Sequence, residues 1–397
     1  MTVDELTREA RLAASVGSPH AFRLPGLDHP FLDRLAPVGA FQSHAFFAAI
    51  DQALCSGGRR ELILIGVEDG EGNAVALFPF IRRRSLGATI LEGLDLQVTD
   101  YFAPPATGHI LGSELWKAVL AALPRADAIT FKKLPLKLHG REHALTDAPF
   151  LRPMGAAAYT ARLHDASGRR VRGADLPVAR DVRRKLRKLE AMGEVSFEEA
   201  TSPDDVTDAI DRLVEFRTTR FEGMGRRDIL TMEEYRDFYR LLASGPDPIG
   251  RLFSLKVGGD AVAVIYALVD GDTVTLVIPS ISSDPRWHVA SPGLIALHML
   301  YEWAVSHDYA TFDFSVGSAA YKMRFNTEKI DLYEYQQALT PLGLPVVANA
   351  ALRRLLRRAS ADHPALHAVL RRLAAFKCFC IAGLLDLEVF APALLAI

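Results

Sequence analysis

Residues 272–325 of the chain read DTVTLVIPSISSDPRWHVASPGLIALHMLYEWAVSHDYATFDFSVGSAAYKMRF. The β-branched run Thr273–Ile278 predicts a strand, and the polar residues after it predict a loop. Ser291 and Pro292 are typical of a helix N-cap and first helical position, and apolar residues then recur at helical spacing. Thr311–Phe314 predicts a second strand, which a short helix follows. This alternation of strands and helices is the basis of our fold prediction.

The predicted loop ends at the N-terminus of the first of these helices. Backbone N–H groups in the first turn of a helix have no partner within it, and the helix dipole adds partial positive charge there. Phosphate groups bind readily at such a position. The sequence therefore predicts that a phosphate-bearing ligand binds where the loop meets the helix.

The same residues resemble the GNAT acyltransferase superfamily. More closely, Ser291-Pro292-Gly293-Leu294, Phe312-Asp313-Phe314 and Tyr321-Lys322-Met323-Arg324-Phe325 look like the CelD-like acetyltransferases named for cellulose gene clusters. Members of that family pair two GNAT-like halves, as the Fem-type aminoacyl transferases do. The resemblance implies an α/β (α+β) fold in which each half is a mixed, mostly antiparallel sheet flanked by helices.

The resemblance also implies acyl-CoA or acetyl-CoA as the co-substrate. In the GNAT pattern the fourth strand lies along the pantetheine arm, so backbone N–H groups of Val277 and Ile278 would polarise the thioester carbonyl. The next helix N-terminus holds the pyrophosphate in that pattern. The candidate residues for the phosphate end are Arg286, Ser291, Gly293, Leu294 and Lys322. For Lys322, the alternatives are pairing with an acceptor anion or a solvated surface position.

Transfer of an acyl group from a thioester to an amine has four chemical requirements. The donor must be held, the amine must lose its proton, the developing oxyanion needs a hydrogen bond, and the departing thiolate needs a proton. The resemblance implies that Tyr321 supplies this last proton, and the alternative is that Tyr321 only packs against the sheet.

Asp313 and His288 are the candidate bases. Asp313 lies between two phenylalanines that point to the opposite face of the strand, so its carboxylate is expected to face a cleft with a raised pKa. It is equally expected as a structural acceptor of loop N–H groups. His288 is a rival because the histidine pKa is near neutrality. His298 lies among apolar helix positions and is interpreted as a core or interface residue.

Composition narrows the class of protein. The 397 residues are 49% hydrophobic and 24% charged, enough for two globular domains. A formal net charge of −2 gives no general attraction for nucleic acid. Cys55, Cys378 and Cys380 fit neither a zinc site nor a disulfide framework. We expect a cytoplasmic protein without metal, signal sequence or membrane-spanning helix.

Four segments are predicted along the chain. They are an N-terminal arm (1–40), an N-terminal GNAT-like half (41–170), a C-terminal GNAT acyltransferase domain (177–340) and a helical tail (341–397). The first half repeats the element order of the second but has no Ser-Pro-Gly loop, which predicts a degenerate donor site that shapes the acceptor side. The candidate residues for binding the acceptor are Asp100, Tyr101 and Arg220.

Two basic amphipathic segments have two interpretations each. Val178–Met192 is expected to be a helix whose basic face is either simply solvated or a dock for an acyl carrier protein, CoA phosphate or lipid. Residues 351–376 alternate leucine and arginine faces, which is typical of helices on an anionic bilayer and also of helices packed on a core. The first interpretation of the tail predicts a peripheral membrane protein.

The function that these observations favour is acyl-CoA-dependent N-acylation by direct attack. The basic tail favours an amphiphilic amine as acceptor, such as a long-chain sphingoid base that would give a ceramide, since relatives with this domain include bacterial ceramide-forming enzymes. The alternatives are acetyl transfer in exopolysaccharide or cellulose biosynthesis, Fem-like aminoacyl transfer from tRNA, and a non-catalytic GNAT-fold scaffold. The usual GNAT phosphate loop is Gln/Arg-x-x-Gly-x-Gly/Ala, and residues 286–291 lack its first glycine. This absence supports the scaffold alternative.

Overall fold

The computed structural model describes residues 19–352, except 86, 108–111, 147 and 246. Its strands are β1 (His20–Arg23), β2 (Arg60–Glu68), β3 (Ala74–Ser85), β4 (Ala88–Gly93), β5 (Ala128–Pro135), β6 (Arg152–Arg162), β7 (Val195–Glu199), β8 (Gly250–Val257), β9 (Asp260–Asp270), β10 (Thr273–Ile281), β11 (Thr311–Val316) and β12 (Glu328–Ala338). The α-helices whose two ends are described are α1 (His44–Ala49), α2 (Gly112–Ala122), α3 (Ala179–Glu190), α4 (Pro203–Gly223), α5 (Glu233–Leu242), α6 (Pro285–His288) and α7 (Pro292–Ser306). Residues 344–352 are also helical. The start of the predicted arm and the tail from residue 353 lie outside the described residues.

The described chain divides into two compact units. The first unit contains the chain up to Asp51, residues Cys55–Ala156 and the chain from Asp331 onward. The second contains Gln52–Leu54 and Ala157–Ile330. Each unit has a mixed, mostly antiparallel sheet flanked by helices, so the predicted fold class is confirmed.

In the first unit the strand order is β1-β2-β3-β4-β5-β12, and only the β4–β5 pair is parallel. Its core is rich in aromatic side chains. Trp116 of α2 meets Phe131 of β5 edge to face, with ring centroids 5.5 Å apart, and stacked Phe102 and Phe131 rings lie 5.0 Å apart. Aromatic pairs of this kind add to the free energy of area burial.

The sequence does not specify the partner of the last described strand. β12 pairs antiparallel with β5, from Leu332 opposite Pro135 to Ala338 opposite Ala128. The alternation of side chains along a strand specifies which face is buried and does not specify the partner strand.

In the second unit the strand order is β6-β11-β10-β9-β8-β7, and only the β10–β11 pair is parallel. Helices α4 and α7 both pack on β8, β9 and β10. The start of α4 follows from its sequence, because the Ser202 hydroxyl and the Asp205 carboxylate form a reciprocal capping box and Pro203 occupies the first turn. This unit contains most of the candidate site residues.

Candidate active site

The two parallel strands of the second unit separate before they end. β10 and β11 pair only at three positions, Thr273 with Thr311, Val274 with Phe312, and Thr275 with Asp313. Beyond the last pair β10 continues to Ile281 and β11 to Val316, and no further β10–β11 pair exists among these described residues. The carboxyl ends of the strands therefore open a gap, and ligands of α/β proteins commonly bind beyond the carboxyl ends of parallel strands.

A β-bulge lies at the start of this gap. The register of β10 against β9 shifts between Leu276 and Ile278, which makes Val277 the additional residue. A bulge leaves its extra residue outside the ladder and increases the local twist. The backbone of Val277 and Ile278, predicted to face a thioester carbonyl, is thus at the point where β10 turns away from β11.

A hydrogen-bond network of buried side chains joins the two strands at the same point. The Asp313 carboxylate, which is fully buried, accepts a hydrogen bond from the Ser315 N–H over 2.7 Å. The Ser315 hydroxyl donates to the carbonyl of Leu276 over 2.7 Å, and Ser315 has a φ of 60°, in the left-handed region. One interpretation of Asp313 from the sequence was a structural acceptor of loop N–H groups. This hydrogen bond supports that interpretation, because the carboxylate holds Ser315 in its strained conformation.

Lys322 completes this network instead of facing solvent. Its side chain is buried, and its ammonium donates to the carbonyls of Ser315 and Val316 over 3.0 and 3.2 Å. The ammonium also lies 5.6 Å from the centre of the Tyr159 ring. We expected a lysine that pairs with a phosphate or an acceptor anion, or that is solvated at the surface. The surface alternative is wrong, because Lys322 is buried and the carbonyls at the end of β11 bind its charge. Its pairing with a phosphate or an acceptor anion stays a prediction.

Tyr321 lies next to Lys322 at the start of a 3₁₀ turn, Lys322–Phe325. Phe325 anchors this turn in the core, with its ring centroid 5.0 Å from that of Phe314. Tyr321 itself is partly buried against the same core, and burial raises the pKa of its phenol. The phenol is therefore protonated at neutral pH, as a proton donor must be, and its raised pKa makes it a weaker acid than a free tyrosine.

The loop after β10 contains a short helix, α6, that was not predicted from the sequence. Asp284 caps α6 by accepting the N–H of Arg286 over 2.9 Å, and its other carboxylate oxygen accepts from the Arg286 guanidinium over 2.7 Å. The guanidinium also lies 5.0 Å from the Trp287 ring. Arg286 remains exposed, and so does His288, whose Nε2 lies 3.4 Å from the Ser282 carbonyl. Both side chains are open to solvent and to ligands.

The N-terminus of α7 offers fewer free N–H groups than predicted. Ser291 has a φ of 51° and makes no side-chain cap, while its N–H donates to the carbonyl of His288 and its carbonyl accepts from the Leu294 N–H. Pro292 has no N–H. Among the described residues nothing accepts a hydrogen bond from the N–H of Gly293, which leaves it as the free donor of the first turn. The phosphate site predicted at this helix start thus has one free backbone donor among the described residues, the Gly293 N–H.

The close packing at Gly293 explains why glycine stands there. A Cβ atom at this position would lie 2.9 Å from the Cγ2 atom of Ile281, at the end of β10. Only glycine lets the helix start approach the strand end this closely without moving that side chain.

The three candidate acceptor residues lie in different environments. Asp100, in the first unit, is 3.8 Å from the Lys133 ammonium, and Tyr101 is buried in the core with its ring 5.9 Å from that of Phe41. Arg220 is exposed on α4 of the second unit. The ring of Tyr101 therefore packs in the core of the first unit, and its assignment to the acceptor stays a prediction.

Sequence reasoning missed Ser315. The Asp-x-Ser spacing at Asp313–Ser315 is a usable signal, because aspartate side chains often accept a hydrogen bond from the N–H two residues later. Nothing in the sequence, however, shows that the serine hydroxyl bonds to the neighbouring strand. Among the described residues no group of His, Cys, Asp and Glu side chains is arranged to hold a metal ion, and no helix there is both long and apolar enough to cross a bilayer.

Residues 178–323 match the family model described as an acetyltransferase (GNAT) domain. This part of the chain is thus similar to GNAT-type acetyltransferase domains, and the match covers the gap between β10 and β11 together with α7 and Tyr321. A comparison with curated protein sequences gave no match.

Several solved structures are similar to the chain. FemX has 12% sequence identity over 80% of this chain and 97% of its own, with a TM-score of 0.54. L-PGS from Bacillus licheniformis has 13% identity over 82% and 94%, with a TM-score of 0.48. A tandem GNAT protein from the clavulanic acid biosynthesis pathway has 11% identity over 80% and 98%, with a TM-score of 0.43. At these identities the likeness concerns the fold alone.

Proposed function

We propose that the second unit transfers an acyl group from an acyl-CoA thioester to an amine by direct attack. The observation that carries this proposal is the gap between β10 and β11, which begins at the Val277 bulge and is held by the Asp313–Ser315 contact. A gap between parallel strands exposes backbone N–H and C=O groups to an extended ligand such as a pantetheine arm. No other gap of this kind forms between the described strands of the second unit.

In this mechanism the N–H groups at Val277 and Ile278 donate hydrogen bonds to the thioester oxygen as it becomes an oxyanion. The amine nitrogen forms a bond to the carbonyl carbon, the carbon–sulfur bond breaks, and the Tyr321 phenol gives its proton to the thiolate. The proton lost by the amine goes to water or to the exposed His288. Asp313 then acts as a positioning residue, because its carboxylate is already bound to Ser315.

The phosphate end of the donor has fewer fixed partners. Gly293 supplies one free N–H at the positive end of the α7 dipole, and Arg286 supplies an exposed guanidinium in the loop before α7. The Arg286 guanidinium is shared with Asp284, which screens part of its charge. These two groups are the partners that we propose for the donor phosphates.

A covalent acyl-enzyme has little support in the described residues. Cys55 is buried, and burial raises the pKa of its thiol to about 12. A thiol with such a pKa is not ionised at neutral pH and is a poor nucleophile. Direct attack by the amine therefore remains the simplest route.

The acceptor that we propose is an amphiphilic or lipid amine, such as a long-chain base that would yield a ceramide. The support is the sequence pattern of residues 351–376, whose arginine and leucine faces suit an anionic membrane surface on the cytoplasmic side. That segment lies almost wholly outside the described residues. An amino sugar of an exopolysaccharide is the competing acceptor, and it would not require a membrane surface.

A ligand panel tests this function. Thermal unfolding should be shifted upward by long-chain acyl-CoA, acetyl-CoA and CoA, because a ligand that binds only the folded state stabilises it by about 2.7 kcal/mol at 100 times its Kd. Long-chain acyl-CoA should give the largest shift. Incubation with acyl-CoA and either a long-chain amine or an amino sugar, followed by product mass, then identifies the acceptor.

The same panel separates the alternatives. A shift with aminoacyl-tRNA alone would identify a Fem-like aminoacyl transferase. No shift with any thioester or CoA at about 1 mM, the upper end of the usual range of enzyme KM values, would contradict the proposal and favour the non-catalytic scaffold.

A further inference from the structure

The solvent face of α3 forms one wall of an arginine-lined groove in the second unit. The groove has a volume of about 710 Å³. Its charged lining residues are Arg180, Asp181, Arg183, Arg184, Arg187 and Arg324. Five positive charges face one negative charge there, although the whole chain has a net charge of −2. The positive charge is therefore concentrated locally, as it is on surfaces that bind an anionic partner.

Asp181 forms ion pairs with three basic side chains at the base of the groove. Its carboxylate lies 2.8 Å from the Arg184 guanidinium, 3.4 Å from the Lys185 ammonium and 3.1 Å from the Arg324 guanidinium. These cations lower the pKa of Asp181 to about 2, so the carboxylate stays ionised. The fixed cluster ties α3 to the 3₁₀ turn that follows Tyr321.

The remaining arginines of the groove are not neutralised. Among the described residues no carboxylate lies within ion-pair distance of Arg180, Arg183 or Arg187. Arg183 and Arg187 are exposed, and they are four residues apart on the helix. Side chains at this spacing lie about 5–6 Å apart on one face. The three arginines form a row of available guanidinium groups along α3.

The opposite face of α3 packs in the core. Val182 and Leu189 are buried, at 3% and 0% exposure, within the core cluster that contains α7. The groove side has no apolar residue between its arginines. An interfacial membrane helix inserts an apolar face into the bilayer. The apolar face of α3 is packed in the core and is not available to insert into a bilayer. A lipid surface is therefore disfavoured as the partner of the groove.

We propose that the groove docks the acidic helix of an acyl carrier protein, which presents the acyl thioester to the site described above; this rests on the proposed function. Arginines at helical spacing match carboxylates at helical spacing, and each guanidinium can bind a carboxylate through two hydrogen bonds. A bound phosphate would require several available donors that converge on one point, whereas Arg180, Arg183 and Arg187 lie in a row along α3, and Arg184 and Arg324 are paired with Asp181. A nucleic acid would require basic charge well beyond a chain of net charge −2.

A pair of charge reversals on α3 tests the proposal. Arg187→Glu changes a lining residue, and Lys188→Glu makes the same charge change at the next residue, which is exposed and outside the groove. Neither residue has an ion pair to lose within the described chain, so both variants are expected to fold. Each is compared with wild type for kcat/KM with an acyl carrier protein thioester and with acyl-CoA of the same chain length.

Arg187→Glu should lower kcat/KM for the carrier-protein donor by about tenfold or more, because a like charge then faces the acidic helix. Lys188→Glu should lower it by less than about threefold, which measures the loss of general attraction alone. Both variants should use acyl-CoA as wild type does. Binding of carrier protein without an acyl group, measured by fluorescence anisotropy, should follow the same order and should weaken as salt rises.

Four results would overturn the proposal. Equal losses in the two variants would show that only net charge matters, and a loss with acyl-CoA as large as with the carrier protein would assign the groove to CoA phosphates. The groove would instead be assigned to a membrane or to tRNA if anionic vesicles or tRNA bound wild type and not Arg187→Glu, while carrier protein bound both equally. Wild type that does not bind carrier protein at low salt would also refute docking. The binding readout is independent of turnover, so it distinguishes this failure from failure of the acyltransferase function.

Discussion

Tyr321→Phe should lower kcat for acyl transfer by about 10²–10⁴-fold, the range in which a general acid contributes to catalysis. The Kd for CoA should stay close to its wild-type value, because the phenol proton is needed only when the thiolate leaves. The ring that packs against the core is retained, so the free energy of unfolding should change little. Steady-state kinetics and equilibrium binding of CoA measure the two effects separately.

The matched control is Tyr309→Phe. Tyr309 is also partly buried in the second unit, its pKa is also raised by burial, and it lies in the turn before β11 rather than at the gap. Loss of its hydroxyl should leave kcat within about twofold, as expected for a residue that does not contact the reacting atoms. An unchanged kcat in Tyr321→Phe, or an equal loss in both variants, would remove Tyr321 from the mechanism.

Substitution of Asp313 should affect folding more than chemistry. Asp313→Ala leaves the buried Ser315 N–H without an acceptor and should cost about 1–3 kcal/mol, the desolvation penalty of an unsatisfied buried donor, with a further loss from the cavity. Asp313→Asn keeps an acceptor oxygen and should retain most of the stability. Its kcat should stay within about tenfold of wild type, since a positioning residue acts through geometry. Urea unfolding and kcat, measured on both variants, test this.

The opposite pattern would make Asp313 the general base. In that case Asp313→Asn would fold normally and lose about 10²–10⁴-fold in kcat, because an amide cannot accept a proton. The amine would then have to reach a carboxylate that is fully buried in the described structure.

Much of the second unit was predictable because its signals are local. The capping residues at Ser202 and Pro203 specified the start of α4, and the β-branched run specified β10. The short helix α6 was also detectable in principle, since Asp284 followed by Pro285 is a strong N-cap pattern. We predicted only a polar loop for these residues.

The parts that were not predictable depend on contacts between distant residues. A lysine in a sequence is expected at the surface, and only the free carbonyls of Ser315 and Val316 explain why Lys322 is buried. The same holds for β12, whose partner is a strand nearly 200 residues earlier. Tyr101 has no sequence feature that distinguishes an aromatic residue facing a substrate from one that fills a core.

Hydrogen–deuterium exchange tests the central claim, that the acyl donor lies between β10 and β11. With saturating long-chain acyl-CoA, exchange of the backbone N–H groups should slow at Val277, Ile278 and Gly293. The parallel pair β4–β5 of the first unit serves as the internal control, and its exchange should be unchanged. Slower exchange at β4–β5 instead, or bound donor with no change at Val277 and Ile278, would contradict this placement of the donor.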